Sequence, residues 1–508
     1  MLAKDTAFYF LANAFSAVFG VVNVVVFTRL FVADAFGDYL LGFAFATLFA
    51  TFLSSAIKLS ILRDQSRGDG TDVRPLALAA LLLCMLTLPL GYLAARLANL
   101  APAVAVTSIG LTVAVLVYDT SQELLRAEQK AASYMRGTAA RAVLVAGLGI
   151  ASTLFGRTGA LLLTAVSIAY LLATLSFWRI AWGAARPRFD AARLIEMLRS
   201  GFPLTISLSL LALSGITDRF LLANLAGVSA AGQFGASLDL VRQSLAIPAL
   251  SISTAFVPVT VRLLATKGAP AARAHLEKYL EILLAATLPA CVGLAIVAPQ
   301  VADLVLGPNF RSVSHTAMPV FAAALLFQIL TLQYLHTSFL LPNRTSFYLA
   351  NTGSIIAWNL VASYLLISRF GLMGAVWGRL ATEVFGFLNA LLLSRWAFSM
   401  PFPLRRIARI AAAAAAMGAV VAVLEMFSGA YGPAALVVLA PTGVAVYAAT
   451  AWLLDVGDLR AVSRGLAPKL LRRDCASLGR GGCRDGAASP PAPASNGRAR
   501  GFSAGAAP

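Results

Sequence analysis

The feature that most constrains this chain is the recurrence of apolar runs of about twenty residues, the length that crosses a bilayer as a helix. They follow one another from residue 6 to residue 455 with little between them. Inside a bilayer no water satisfies the backbone, so each run must bond within itself as a helix. The runs between charged or Gly/Pro breaks predict fourteen helices, at 6–28, 39–62, 75–95, 103–124, 142–155, 159–178, 202–225, 230–258, 280–299, 315–340, 345–367, 371–393, 407–427 and 433–454. The predicted fold class is an all-α polytopic membrane protein. The first run reaches Phe27, too long for a signal peptide core, and is read as an uncleaved first helix.

Composition agrees: 59% of residues are hydrophobic and 12% charged, against about 25% charged in soluble domains. The net charge of +18 does not point to nucleic acid, because no soluble basic face exists to carry it. Positive loops on one side of a membrane explain it better. Of the 40 Lys and Arg residues, 22 fall in segments on the side of Lys4, before the tail. Only Arg29, Arg96, Arg157, Arg311 and Arg369 fall on the other. This predicts a bacterial inner-membrane protein with both termini in the cytoplasm. The segment beyond Arg473, rich in Gly, Ala, Ser, Pro and Arg, is expected to be disordered. Cys84, Cys291, Cys475 and Cys483 form no CxxC pair, and neither a metal site nor a cofactor is expected. There is no GxxxxGK[ST] loop for ATP and no HExxH.

A weak repeat links the halves. Thr28-Arg29-Leu30-Phe31 with Gly37-Asp38-Tyr39 is echoed by Asp218-Arg219-Phe220-Leu221 with Gly232-Gln233-Phe234. Six helices per repeat would make both halves enter from the same side.

Four short segments then carry a resemblance. They are Gly201-Phe202-Pro203, read as opening the seventh helix, Asp218-Arg219 at its far end, Leu306-Gly307-Pro308-Asn309-Phe310 after the ninth, and Phe370-Gly371-Leu372-Met373-Gly374-Ala375-Val376 opening the twelfth. Their order and spacing over residues 1–455 resemble the lipid-linked oligosaccharide flippases, within the multidrug/oligosaccharidyl-lipid/polysaccharide exporter superfamily. The resemblance implies a six-helix lobe and linker at 1–200, a second lobe at 201–400, two added helices at 401–456 and a cytoplasmic tail at 457–508. It implies a central cavity, alternating access and an undecaprenyl pyrophosphate-linked oligosaccharide as substrate. The partners implied are membrane lipids and, in the pathway, a polysaccharide polymerase and glycosyltransferases.

Ionisable residues inside the helices are the candidate site, because a charge at the bilayer centre costs about 2.5–3.5 kcal/mol on insertion scales. Arg219, Arg242 and Arg379 are the candidate phosphate ligands, since a planar guanidinium matches phosphate in bidentate fashion. Asp239 and Arg242 are three apart, Arg379 and Glu383 four apart, so each pair shares a helix face. Asp218 needs a partner elsewhere. Lys58 is expected to snorkel to the headgroups. Asp119, Glu123 and Arg126 share a face, and Asp119 and Glu123 are candidates for cavity lining or ion coupling. Pro248 is expected to kink its helix. Two rival functions are weighed. A cation-coupled drug exporter would favour unpaired carboxylates, and a membrane glycan polymerase or ligase would need a large outer loop. The longest outer loop is read as about fifteen residues around Gly307–Ser314.

Overall fold

Every element among the described residues is helical, as a chain bonding its own backbone in lipid requires. The structure, a computed structural model, describes residues 2–67, 72–342 and 345–458. Helices α1 (Leu2–Leu30), α2 (Ala33–Arg67), α3 (Arg74–Met85), α4 (Leu88–Leu97), α5 (Pro102–Ala127), α6 (Ala131–Ala151), α7 (Gly159–Leu175) and the short α8 (Trp178–Trp182) form the first group. The second comprises α9 (Ala191–Ser214), α10 (Thr217–Ala226), α11 (Val228–Ile296), α12 (Ala298–Val305), α13 (Pro308–Ile329), a π-helical turn (Leu330–Leu335), α14 (Thr337–Leu340) and α15 (Thr345–Ala397). Helices α16 (Leu404–Ser428) and α17 (Leu436–Leu453) follow. Residues 459–508, including Cys475 and Cys483, lie outside the described residues.

Several boundaries differ from the sequence expectation, each for a physical reason. The run at 75–95 is two helices bent by 46°, because Pro89 has no N–H to continue the backbone ladder from α3. The run at 202–225 also breaks, at Gly215–Ile216. Its first half begins at Ala191, where the Asp190 side chain accepts a hydrogen bond from the Arg193 amide. Gly201 is therefore inside a helix, not at its start, and a Cβ there would sit 2.6 Å from the Ala56 Cα of α2. Helix α6 starts at Ala131, eleven residues before the expected 142, because Arg136 and Arg141 interrupt the apolar run without interrupting the helix. The expected outer loop around Gly307 is helical on both sides, as α12 and α13.

The backbone of α11 breaks from helical geometry at Gly268, φ 79°, in the expected gap between the runs at 230–258 and 280–299, while at Pro248 it keeps helical geometry. A straight helix of 69 residues would run about 100 Å. Instead Phe256 stacks on Tyr279 with ring centroids 5.4 Å apart, so the chain folds back. Helix α15 does the same at Gly371, φ 55°, with Trp358 stacked on Phe385 at 4.9 Å. Counting α3 with α4, α9 with α10, and α13 with α14 as single passages, and α11 and α15 as two each, and setting aside the short α8 and α12, the described residues form fourteen helical passages.

In the first group, α1 lies on α6, and α2 on α5 and α7; in the second, α11 lies on α13 and α16, and α13 and α10 on α15. Helix α2 is the seam between them, touching both α9 and α11. The two glycines of the sequence repeat meet there. A Cβ on Gly232 would lie 2.9 Å from the Gly37 amide nitrogen, and one on Gly37 would strike the Val228 carbonyl. Beside them Phe36 meets Phe310 edge-on at 5.5 Å, and Gln233 Nε2 donates to the Asn309 carbonyl at 3.1 Å. Small residues allow such close helix approach in a membrane, where apolar surface alone gives little drive.

The fold-backs generate a test. Gly371→Ala places a side chain in a backbone region that costs about 1–3 kcal/mol for non-glycine residues, so the melting temperature of the detergent-solubilised protein should fall. Gly353→Ala, in a helix with open space around the new Cβ, should not lower it.

Candidate substrate cavity

Three cavities adjoin at Gly215 and Arg242. One of about 530 Å³ is lined by Thr47, Thr51, Ser55, Lys58, Glu123, Arg126 and Arg242. Another, of about 370 Å³, is lined by Phe19, Asn23, Tyr39, Arg141, Tyr170, Arg219, Asp239 and Arg242. The third, about 130 Å³, holds Arg242, Gln328, Arg379 and Glu383. Gly215, at the break between α9 and α10, and Arg242, on α11, line all three.

The ionisable groups divide into paired and unpaired. The break at Gly215 starts α10 beside α11 and α15, which gives the adjacent Asp218 and Arg219 separate partners. Arg219 bonds the Asp239 carboxylate. Asp218 faces Arg379 at 3.3 Å and also accepts hydrogen bonds from Asn359 Nδ2 at 2.6 Å and Ser363 Oγ at 2.8 Å. Arg379 reaches Glu383 at 2.5 Å, as its spacing predicts. Glu383 accepts a further bond from Gln328 Nε2 at 2.8 Å. The side chains of Arg379, Asp218 and Glu383 are only 5%, 2% and 9% exposed. Such burial is tolerable only because the charges are mutually compensated and hydrogen-bonded.

Arg242 is different. The expected pair with Asp239 does not form, because Arg219 takes that carboxylate. Arg242 is exposed to the cavities, and no ion pair or hydrogen bond joins it to another described residue. Lys58, expected to snorkel, instead bonds Asp119 across α2 and α5 at 2.8 Å and lines the largest of the three cavities. Glu123 sits 3.8 Å from Arg126.

Arg141 lies one residue outside the apolar run at 142–155 and is not among the residues that the sequence singles out. It lies within α6 and donates to the Tyr170 hydroxyl at 2.8 Å and to Ser16 Oγ at 2.9 Å. Its guanidinium stands over the Tyr118 and Tyr170 rings, 5.4 and 5.2 Å from their centroids. Helical spacing could have found it: Tyr134, Thr138, Arg141, Val145 and Gly149 share one face, and the last two are buried.

Comparison with known proteins places this architecture. A solved lipid II flippase MurJ, in an inward closed conformation, superposes with a TM-score of 0.76 at 14% identity, over 89% of this chain and 99% of that one. An inward-facing MATE multidrug resistance transporter of the MOP superfamily gives 0.60 at 15% identity, over 75% and 95%. An outward-facing MATE transporter gives 0.51 at 16% identity, over 77% and 95%. A comparison with curated proteins finds no match. The fold is thus that of a multi-pass membrane protein shared by flippases and MATE transporters. The family itself is set by residues 2–264, and the chain belongs to the polysaccharide biosynthesis protein family.

The division of charges is testable by stability alone. Arg379→Ala strands two buried carboxylates and should cost about 3–5 kcal/mol, seen as a large drop in melting temperature. Arg242→Ala breaks no described bond and should leave the melting temperature unchanged.

Proposed function

We propose that the protein is a secondary-type flippase that carries an oligosaccharide linked to undecaprenyl pyrophosphate from the cytoplasmic to the periplasmic leaflet of a bacterial inner membrane. The observation that carries this reading is Arg242, a guanidinium that makes no ion pair or hydrogen bond with another described residue, at the one place common to all three cavities. A pyrophosphate oxygen pair fits its planar fork and supplies the acceptors it lacks. Arg219 and Arg379 are held by carboxylates. Each retains N–H donors beyond those bonds, so they can add hydrogen bonds while Arg242 makes the primary contact.

The sugar occupies the cavities and the prenyl tail stays in lipid. The two helix groups move as lobes about the seam, alternately exposing the cavity to each side. The excess of Lys and Arg on the side of Lys4 supports a cytoplasmic position for that side. The family and the fold of a protein described as a lipid II flippase support this substrate class. Multidrug export, suggested by the MATE folds, fits less well. A cation needs an unpaired carboxylate, whereas Asp119, Asp218, Asp239 and Glu383 each bond a basic side chain.

Purified protein in liposomes, given labelled lipid-linked sugar, should move it between leaflets without changing its mass. Transport should fall from wild type to Arg242→Lys, which keeps charge but loses the fork, and further in Arg242→Ala. A lengthened glycan, or no leaflet transfer, overturns the proposal. Reporters fused after Arg311 and after Arg344, the latter outside the described residues, should score periplasmic and cytoplasmic respectively.

A further inference from the structure

Arg141 has no part in the contact proposed for Arg242, yet it lines the same cavity of about 370 Å³. Its charge has no carboxylate partner among the described residues: Asp119 is bonded to Lys58, and Asp239 to Arg219. Two of the five N–H hydrogens of a guanidinium are spent here on the neutral oxygens of Ser16 and Tyr170. These bonds, with the Tyr118 and Tyr170 rings, fix its plane. The neighbouring wall offers the rings of Phe19, Tyr39 and Phe43 and the amides of Asn23 and Gln243. Flat apolar faces beside amides suit a sugar ring, which has an apolar face and a rim of hydroxyls. A neutral sugar would leave the Arg141 charge uncompensated.

We propose that the Arg141 end of this cavity is a second anion subsite, which binds an acidic group on the glycan itself, so that the transported oligosaccharide is acidic. The inference rests on the flippase reading above and adds to it the class of sugar. The ligand chemistry is an oxyanion, which a uronate carboxylate or a sugar-borne phosphate would supply. Arg141 from α6 takes this group while Arg242 from α11 takes the pyrophosphate, so one substrate engages both helix groups at once.

The test uses full-length protein in liposomes and three substrates on the same prenyl pyrophosphate: glucose, glucuronate and a glucose bearing a phosphate. Wild type should move at least one acidic substrate about tenfold faster than glucose, in keeping with a hydrogen bond to a charged group; which one identifies the oxyanion. In Arg141→Gln the acidic substrates should fall to the rate of the neutral one. Arg141→Lys should retain part of the preference, and Tyr170→Phe, which keeps the charge but loosens its hold, should weaken it. These two variants preserve the test if Arg141→Gln does not fold. Equal wild-type rates for all three substrates overturn the inference, as does an equal slowing of all three in Arg141→Gln, which would make Arg141 a staple between α1, α6 and α7. If Arg242→Gln abolishes transport while Arg141 variants change nothing, this inference falls and the flippase reading stands. If wild type moves no substrate, both fall.

Discussion

An arginine side chain keeps its proton in any protein environment, so each guanidinium inside a membrane must find an anion, a water-filled space or the membrane surface. That constraint organises the second half of this chain. Arg379 draws the second leg of α15 to Asp218 on α10, while Asn359 and Ser363 on the first leg close around the same carboxylate. Arg219 ties α10 to Asp239 on α11. Four helical passages are thus joined by these contacts, and removing either arginine leaves a buried carboxylate without its ion-pair partner.

The network depends on places where the backbone departs from a plain helix. The break at Gly215 sets Asp218 and Arg219 at the start of a new helix, and the turn at Gly371 brings Arg379 back toward residues that precede it. At the seam, Gly37, Gly201 and Gly232 let α2 come close enough to α9 and α11 that any side chain would collide. The seam is therefore made of backbone against backbone, while the cavities beside it keep the polar side chains.

Much of this was legible from the sequence. Apolar run length gave the all-helical class and the number of passages, because it follows from bilayer thickness alone. The Arg379–Glu383 pair followed from helical spacing. The Arg219–Asp239 and Asp218–Arg379 pairs join residues 20 and 161 positions apart and depend on how broken helices turn, which local periodicity does not encode. Arg141 was lost because a charge near a helix end reads as loop when hydropathy sets the boundary. The fold-back at Gly268 falls in the expected gap between the runs at 230–258 and 280–299, while Pro248 keeps helical backbone geometry because a helix ladder can lose one N–H without turning.

One guanidinium with no ion pair or hydrogen bond to a described residue, in cavities whose other arginines but Arg141 are ion-paired with acids, is the centre of this account. It is tested most directly by solid-state NMR on protein labelled with ¹⁵N-arginine and bound to a prenyl pyrophosphate. Phosphorus should dephase the guanidinium nitrogens in the wild-type protein, and the strong, short-range part of that dephasing should vanish in Arg242→Lys. Short-range dephasing that survives unchanged in Arg242→Lys, or none in wild type despite bound lipid, would show that the pyrophosphate is held somewhere else.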